Sequence, residues 1–314
     1  MSDENNDSVM TDAQRELRNS MLRAAAAVNN AKQQPAPQQP QTPHMPTPNN
    51  LQAPQQAALE FDLAVESPLL PSQGLVYDKE PLRDLKNVDI KAITPTEENI
   101  LMNPVLIKKG TVISELIRSC VLDKRIDVGD MLSGDRNAMM VAIRAVGYGS
   151  DYTPEVTCPS CEAKQDFQID LSKLNLKMLD LEKLNQVYPF ANEFSLFLPM
   201  CKKTITFKFL TGREEERLLA DLEMRKKKGF GSDSLVTHRL MAMIVSVEGI
   251  RDRNVLNKFV MNMPGRDSVL LRKHYDENEP GIDMRQEFVC KACGHSEVLA
   301  VPLGPTFLWP NASR

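Results

Sequence analysis

Hydrophobic spacing changes character along this chain, and each change predicts a different kind of segment. Between residues 12 and 32, apolar side chains recur at helical intervals (Leu17, Met21, Ala24, Ala25, Val28), with Thr11 and Gln14 placed as a capping pair. That pattern predicts an amphipathic helix whose narrow stripe has nothing local to be buried against. From residue 33 to 56 the periodicity dissolves into Gln and Pro. Proline removes helix and sheet options, and too little apolar surface remains to offset ordering, so an extended linker is expected. Residues 1–58 read as a disordered arm, and folding is expected from near Leu59.

Beyond that point the pattern is globular. A turn-rich entry from Ser67 to Gly74 leads to predicted strands at 75–77 and 88–92. Thr94 as cap, Pro95 in the first position, and Glu97 and Glu98 in the first turn predict a helix over 94–102. Helical stripes follow at 110–120, at 128–132 and at 135–146, until Gly147, Gly149 and Pro154 break the period. Strands are predicted at 155–157, 166–170, 194–198 and 204–209, with 199–203 as a hairpin turn. The helical period returns at 213–228, 234–247, 255–261 and 265–277, so that Met241 to Val245 reads as a buried helix stripe. Short strands at 287–289 and 297–301 precede an aromatic tail, Phe307-Leu308-Trp309-Pro310.

The chemistry is concentrated in two Cys-x-x-Cys knuckles, Cys158 with Cys161 and Cys290 with Cys293, each set between strand segments. Four thiolates at this spacing form the tetrahedral donor set that zinc, or alternatively iron, prefers. Gly294, directly after the last ligand, suits the positive φ such a turn needs. In a compact ribbon about 15–20 residues separate the pairs; here a far longer segment lies between Cys161 and Cys290. One metal shared by all four would clasp that segment, a structural rather than catalytic role. Cys120 and Cys201 read as core or near-core thiols. The expected fold class is α+β, a mostly helical core with short antiparallel strands and a zinc-ribbon-like pair of knuckles enclosing a helical insertion at 171–286. Its parts are an N-terminal α+β region, 59–157, and a knuckle region, 158–314.

Composition narrows the function classes. A net charge of −4 and a pI near 5.7 oppose a dedicated nucleic-acid binder, for which a basic footprint is expected. Glu155, Glu162, Asp166 and Glu297 surround the knuckles where basic and aromatic residues would be needed. A nucleic-acid-binding zinc ribbon is kept as the alternative reading. No apolar run reaches the ~18–20 residues of a membrane span, and the polar, acidic start lacks a signal-peptide pattern. The thiols then fit metal binding in a reducing compartment, a cytoplasm.

Catalytic constellations are missing from the pattern, so neither an enzyme nor a small-molecule substrate is expected. Gly134-Asp135-Arg136-Asn137 has the spacing of neither nucleotide-binding loop and reads as a helix start. The four histidines show no ligand spacing, and His295 reads as an exposed turn residue. The basic run from Arg225 to Gly229 reads as a solvated helix end. Sixteen methionines favour adaptable packing surfaces, as a partner-binding protein uses.

Several runs carry a family resemblance. They are Leu70-Pro71-Ser72-Gln73-Gly74-Leu75-Val76-Tyr77, Leu132-Ser133-Gly134-Asp135-Arg136-Asn137 and Ile143-Arg144-Ala145-Val146-Gly147-Tyr148-Gly149, joined by the Cys158-Pro159-Ser160-Cys161 knuckle and the closing segment from Pro302 to Pro310. In this order, over roughly residues 65–310, they resemble the T-even-type phage baseplate protein family. The resemblance implies a contractile-tail phage protein that forms or helps assemble the baseplate hub. Its implied partners are other hub and tail proteins, and its place the host cytoplasm during assembly or the virion tail.

Overall fold

The computed structural model describes residues 63–184, 192–227, 235–301 and 305–308. The arm helix, the Gln/Pro linker, the expected start at Leu59, Lys228-Gly229 and Trp309-Pro310 lie outside the described residues.

The chain enters through β1 (Val65–Glu66), which pairs antiparallel with β2 (Ile90–Lys91). Residues 75–77, expected as a strand, form a turn instead. Their backbone bonds are local, from Leu75 N–H to Ser72 and from Tyr77 N–H to Gly74, while the Tyr77 side chain is drawn into the core. Helix α1 (Pro95–Leu101) starts as its sequence requires, with Glu97 accepting from the Thr94 backbone N–H at 3.0 Å. The stripe expected over 110–120 proves to be the second of two helices. Asn103 caps α2 (Pro104–Lys109), Gly110 ends it at φ 71, and α3 (Val112–Cys120) follows. Asn103-Pro104 is the start signal that the apolar period did not show.

Helix α4 (Ser133–Tyr148) is the centre of the molecule, packed by α3 and β2 among others. Its first half is buried on nearly every side, Asn137 excepted. Gly134 is required there, because a Cβ would lie 1.6 Å from the Pro280 carbonyl oxygen. Asp135, expected as part of the helix start, is fully buried. It accepts from the Ser72 N–H at 2.9 Å, the Ser72 hydroxyl at 2.5 Å and the Tyr77 hydroxyl at 2.6 Å. The Tyr77 oxygen accepts in turn from the Leu132 N–H at 2.8 Å. Burial raises the Asp135 carboxyl above its ordinary value, and the Ser72 and Tyr77 hydrogen bonds oppose that rise. Two segments distant in sequence, 72–77 and 132–135, are thus joined through one buried carboxyl group.

After α4 come β3 (Asp151–Tyr152), β4 (Glu155–Thr157), β5 (Lys164–Asp166) and β6 (Ile169–Asp170), where β4–β5 is a hairpin nested inside the β3–β6 pair. β7 (Leu176–Lys177) leads to the expected hairpin of β8 (Phe194–Leu198) and β9 (Lys203–Phe207). Helices α5 (Gly212–Lys227) and α6 (Leu235–Met243) follow. The helix expected over 234–247 ends at Met243. The β-branched run beyond it forms β10 (Ile244–Val247), pairing with β9 in a three-stranded sheet. A helical stripe and a strand partner compete for these residues, and the pairing decides. Helices α7 (Arg253–Met261) and α8 (Gly265–Asn278), then β11 (Gly281–Ile282), β12 (Arg285–Val289), β13 (Ser296–Ala300) and the short α9 (Pro305–Leu308) are the last elements among the described residues.

The architecture is α+β with short antiparallel strands. One buried cluster runs from Leu70 to Leu308 and takes Phe194, Phe207 and Tyr275 from between the knuckles. β7 pairs with β11, so the ends of the segment between the knuckles are already joined within the main body. Cys120 is a core thiol, fully buried, and Cys201 is half-buried at its edge.

Candidate metal centre

The knuckles sit at the tips of the β4–β5 and β12–β13 hairpins. The two turns are built alike. In the first, Cys158 N–H donates to Ala163 O at 2.9 Å and Glu162 N–H to Cys158 O at 2.9 Å. In the second, Cys290 N–H donates to His295 O at 2.8 Å and Gly294 N–H to Cys290 O at 2.9 Å. The residue after the second cysteine is left-handed in both, Glu162 at φ 59 and Gly294 at φ 73. Glycine adopts that conformation freely, whereas a glutamate there is strained by roughly 1 kcal/mol.

The four sulfurs converge. Cys158 Sγ lies 3.8 Å from Cys293 Sγ, and Cys161 Sγ lies 3.7 Å from Cys290 Sγ. All four lie within 4.8 Å of one another. Tetrahedral Zn–S bonds of ~2.3 Å set neighbouring sulfurs about 3.8 Å apart, so the spacing fits an ion held by all four. Cys158 and Cys290 are buried, Cys161 and Cys293 exposed, giving the centre one face toward the protein and one toward solvent. The Cys293 backbone N–H directed at the Cys290 sulfur, helped by that of Ala292, lowers the Cys290 thiol to about 6. At Cys161 the Ala163 N–H pulls the same way, but neighbouring thiols, Cys293 first, push it up to about 12.

Beneath the sulfurs, Phe288 packs with Cys158 and Cys290 in a small cluster of their own. The Phe167 and Phe288 rings meet edge to face at 5.5 Å. The Gln165 side chain crosses between the hairpins, its Nε2 donating to Val289 O at 3.1 Å while its Oε1 accepts from Lys291 N–H at 2.8 Å. At the base of this lobe the Tyr152 and Phe307 rings meet edge to face at 5.1 Å. The structure therefore brings together all four cysteines that the spacing singled out. It also adds Gln165, Phe167 and Phe288, which no sequence signal marked beyond their nearness to a knuckle. His295 is turned toward Glu297, 3.3 Å from its carboxylate.

With this geometry in place, comparison with known proteins gives one result. The model of the family described as T4 bacteriophage base plate protein matches residues 77–307. The chain belongs to that family. The matched span takes in both knuckles and reaches Phe307 of α9, while most of the run from Leu70 to Tyr77 precedes it. No curated protein and no solved structure matches the chain. The four-sulfur cluster is thus part of a phage baseplate-associated protein.

Proposed function

We propose that this baseplate protein works in the hub of a contractile phage tail, as a hub subunit or a hub-assembly factor, by binding other hub and tail proteins. The observation that carries the reading is the family match over residues 77–307. The chemistry of the cysteine centre supports it. Four protein thiolates fill every position of a tetrahedral ion and leave none for water or substrate, so the metal's task there is structural. We take that ion to be zinc and the paired knuckles to be zinc-ribbon-like. The work of the chain is then contact without turnover, carried out in the host cytoplasm during assembly or in the tail itself. Exposed apolar side chains such as Phe197, Met200 and Met261 supply contact surface.

The test is co-expression of the full chain with the hub and tail proteins of its phage, followed by affinity capture. Stoichiometric co-purification with at least one hub protein is expected. Capture of none of them, with complete baseplates still built by phage lacking the gene, would overturn the reading.

A further inference from the structure

We propose that Gln165 is a positioning residue of the metal centre, holding the backbone on both sides of Cys290 so that the second pair of thiolates faces the first. The inference rests on the four-cysteine metal reading and adds a residue that is not itself a ligand.

The argument begins with what joins the two hairpins. β4–β5 and β12–β13 are separate two-stranded ladders with no main-chain pairing between them. Each turn fixes its own two cysteines through its own backbone bonds. Nothing within either turn fixes one pair relative to the other, yet a tetrahedral ion needs all four sulfurs set within a few tenths of an ångström. Two kinds of contact supply that relation. One is the apolar cluster beneath the sulfurs, where Cys158 and Phe167 pack with Phe288 and Cys290, and which is not directional. The other is the Gln165 carboxamide, which is directional at both ends.

The atoms it binds are specific. Val289 O and Lys291 N–H flank Cys290 in the chain, so Gln165 grips the peptide groups before and after the ligand as a neighbouring strand would. Because Gln165 lies on β5, on the outgoing strand of the first knuckle, the grip transmits the position of the Cys158–Cys161 turn to Cys290. A carboxamide is suited to this because it donates and accepts at once. It also brings no charge toward a centre that, with a divalent ion and four thiolates, carries a net charge of −2. Groups outside the ligand set that orient a ligand typically change metal affinity by about 10–100-fold when removed.

The test uses the purified full-length chain and cobalt(II) as probe, read through the ligand-field absorption of a tetrahedral thiolate centre, with zinc in competition. Gln165→Ala is expected to weaken zinc affinity by about 10–100-fold. Gln165→Glu keeps the acceptor for Lys291 but loses the donor to Val289, so it should not restore wild-type affinity. Melting of the metal-free proteins separates positioning from general support. A merely structural role lowers the melting temperature of metal-free Gln165→Ala and leaves the affinity of the folded protein unchanged. A positioning role gives equal metal-free melting and weaker binding. Wild-type affinity in Gln165→Ala overturns this inference while the metal reading stands. A wild-type chain that binds neither cobalt nor zinc overturns the metal reading itself.

Discussion

At the scale of single residues, the molecule uses the same chemical group with opposite consequences. Glu97 is deeply buried, but hydrogen bonds from Lys91, Ser119 and Thr94 outweigh the burial and hold its carboxyl at about 2. Glu279, at the end of α8, has no such surplus of donors. Burial first, then the Glu215 carboxylate, raise it to about 7, although Tyr275 donates to it at 3.0 Å and Arg239 and Lys177 pull the other way. For this raised group, stability is fully present below the ordinary carboxylate value near 4.5 and falls as pH rises toward 7, where the unfolded chain has ionised and the folded one has not. Glu279→Gln, neutral throughout, is therefore expected to flatten the pH dependence of melting between pH 5 and 8. At pH 8 it should gain on the order of 2 kcal/mol over wild type. Parallel melting profiles for the two proteins would contradict this. Among these residues the capping glutamate was legible, because Thr94, Pro95 and Glu97 form a local pattern. Glu279 was not, since the burial and the Glu215 carboxylate that raise it come from elements distant in sequence. Gln165 was not either, since a glutamine on an exposed strand is ordinary until its partners at Val289 and Lys291 are seen.

At the scale of elements, local signals set most helices and both knuckle hairpins, and long-range pairing overrode them in two places. The Ile244 to Val247 run continued a helical stripe but became a strand against β9. The Leu75 to Tyr77 run looked extended but became a turn, because the Tyr77 hydroxyl is taken up by Asp135, far away in the chain. The clasp also differs in reach from what spacing alone implies. The long segment between the knuckles is tied at its own ends by β7 and β11 and is packed into the main core. Loss of the cysteine centre should therefore loosen the two hairpins and leave the body folded. Limited proteolysis of Cys290→Ser is expected to cut within residues 155–166 and 285–300 while 192–227 and 244–281 stay protected. Equally fast cleavage throughout 192–281 would show that the centre holds the whole segment.

At the scale of the whole molecule, α4 gathers the elements before it and those between the knuckles around one buried cluster. That arrangement could not be read from the chain, because the close approach of α4 to the Pro280 turn depends on Gly134 meeting a segment far from it in sequence. Among the described residues no helix is long and apolar enough to cross a membrane. What the sequence did disclose at this scale was the family, through runs whose order matters more than any one of them, together with the four metal-ligand candidates. The reading of a contact protein stabilised by a structural ion turns on whether Cys158, Cys161, Cys290 and Cys293 share one metal. Native mass spectrometry of the purified full-length chain, before and after chelation, measures this most directly. The expected result is one zinc per chain, lost on chelation and absent from Cys290→Ser; a metal-free mass for the wild type, with all four thiols alkylated under native conditions, would contradict it.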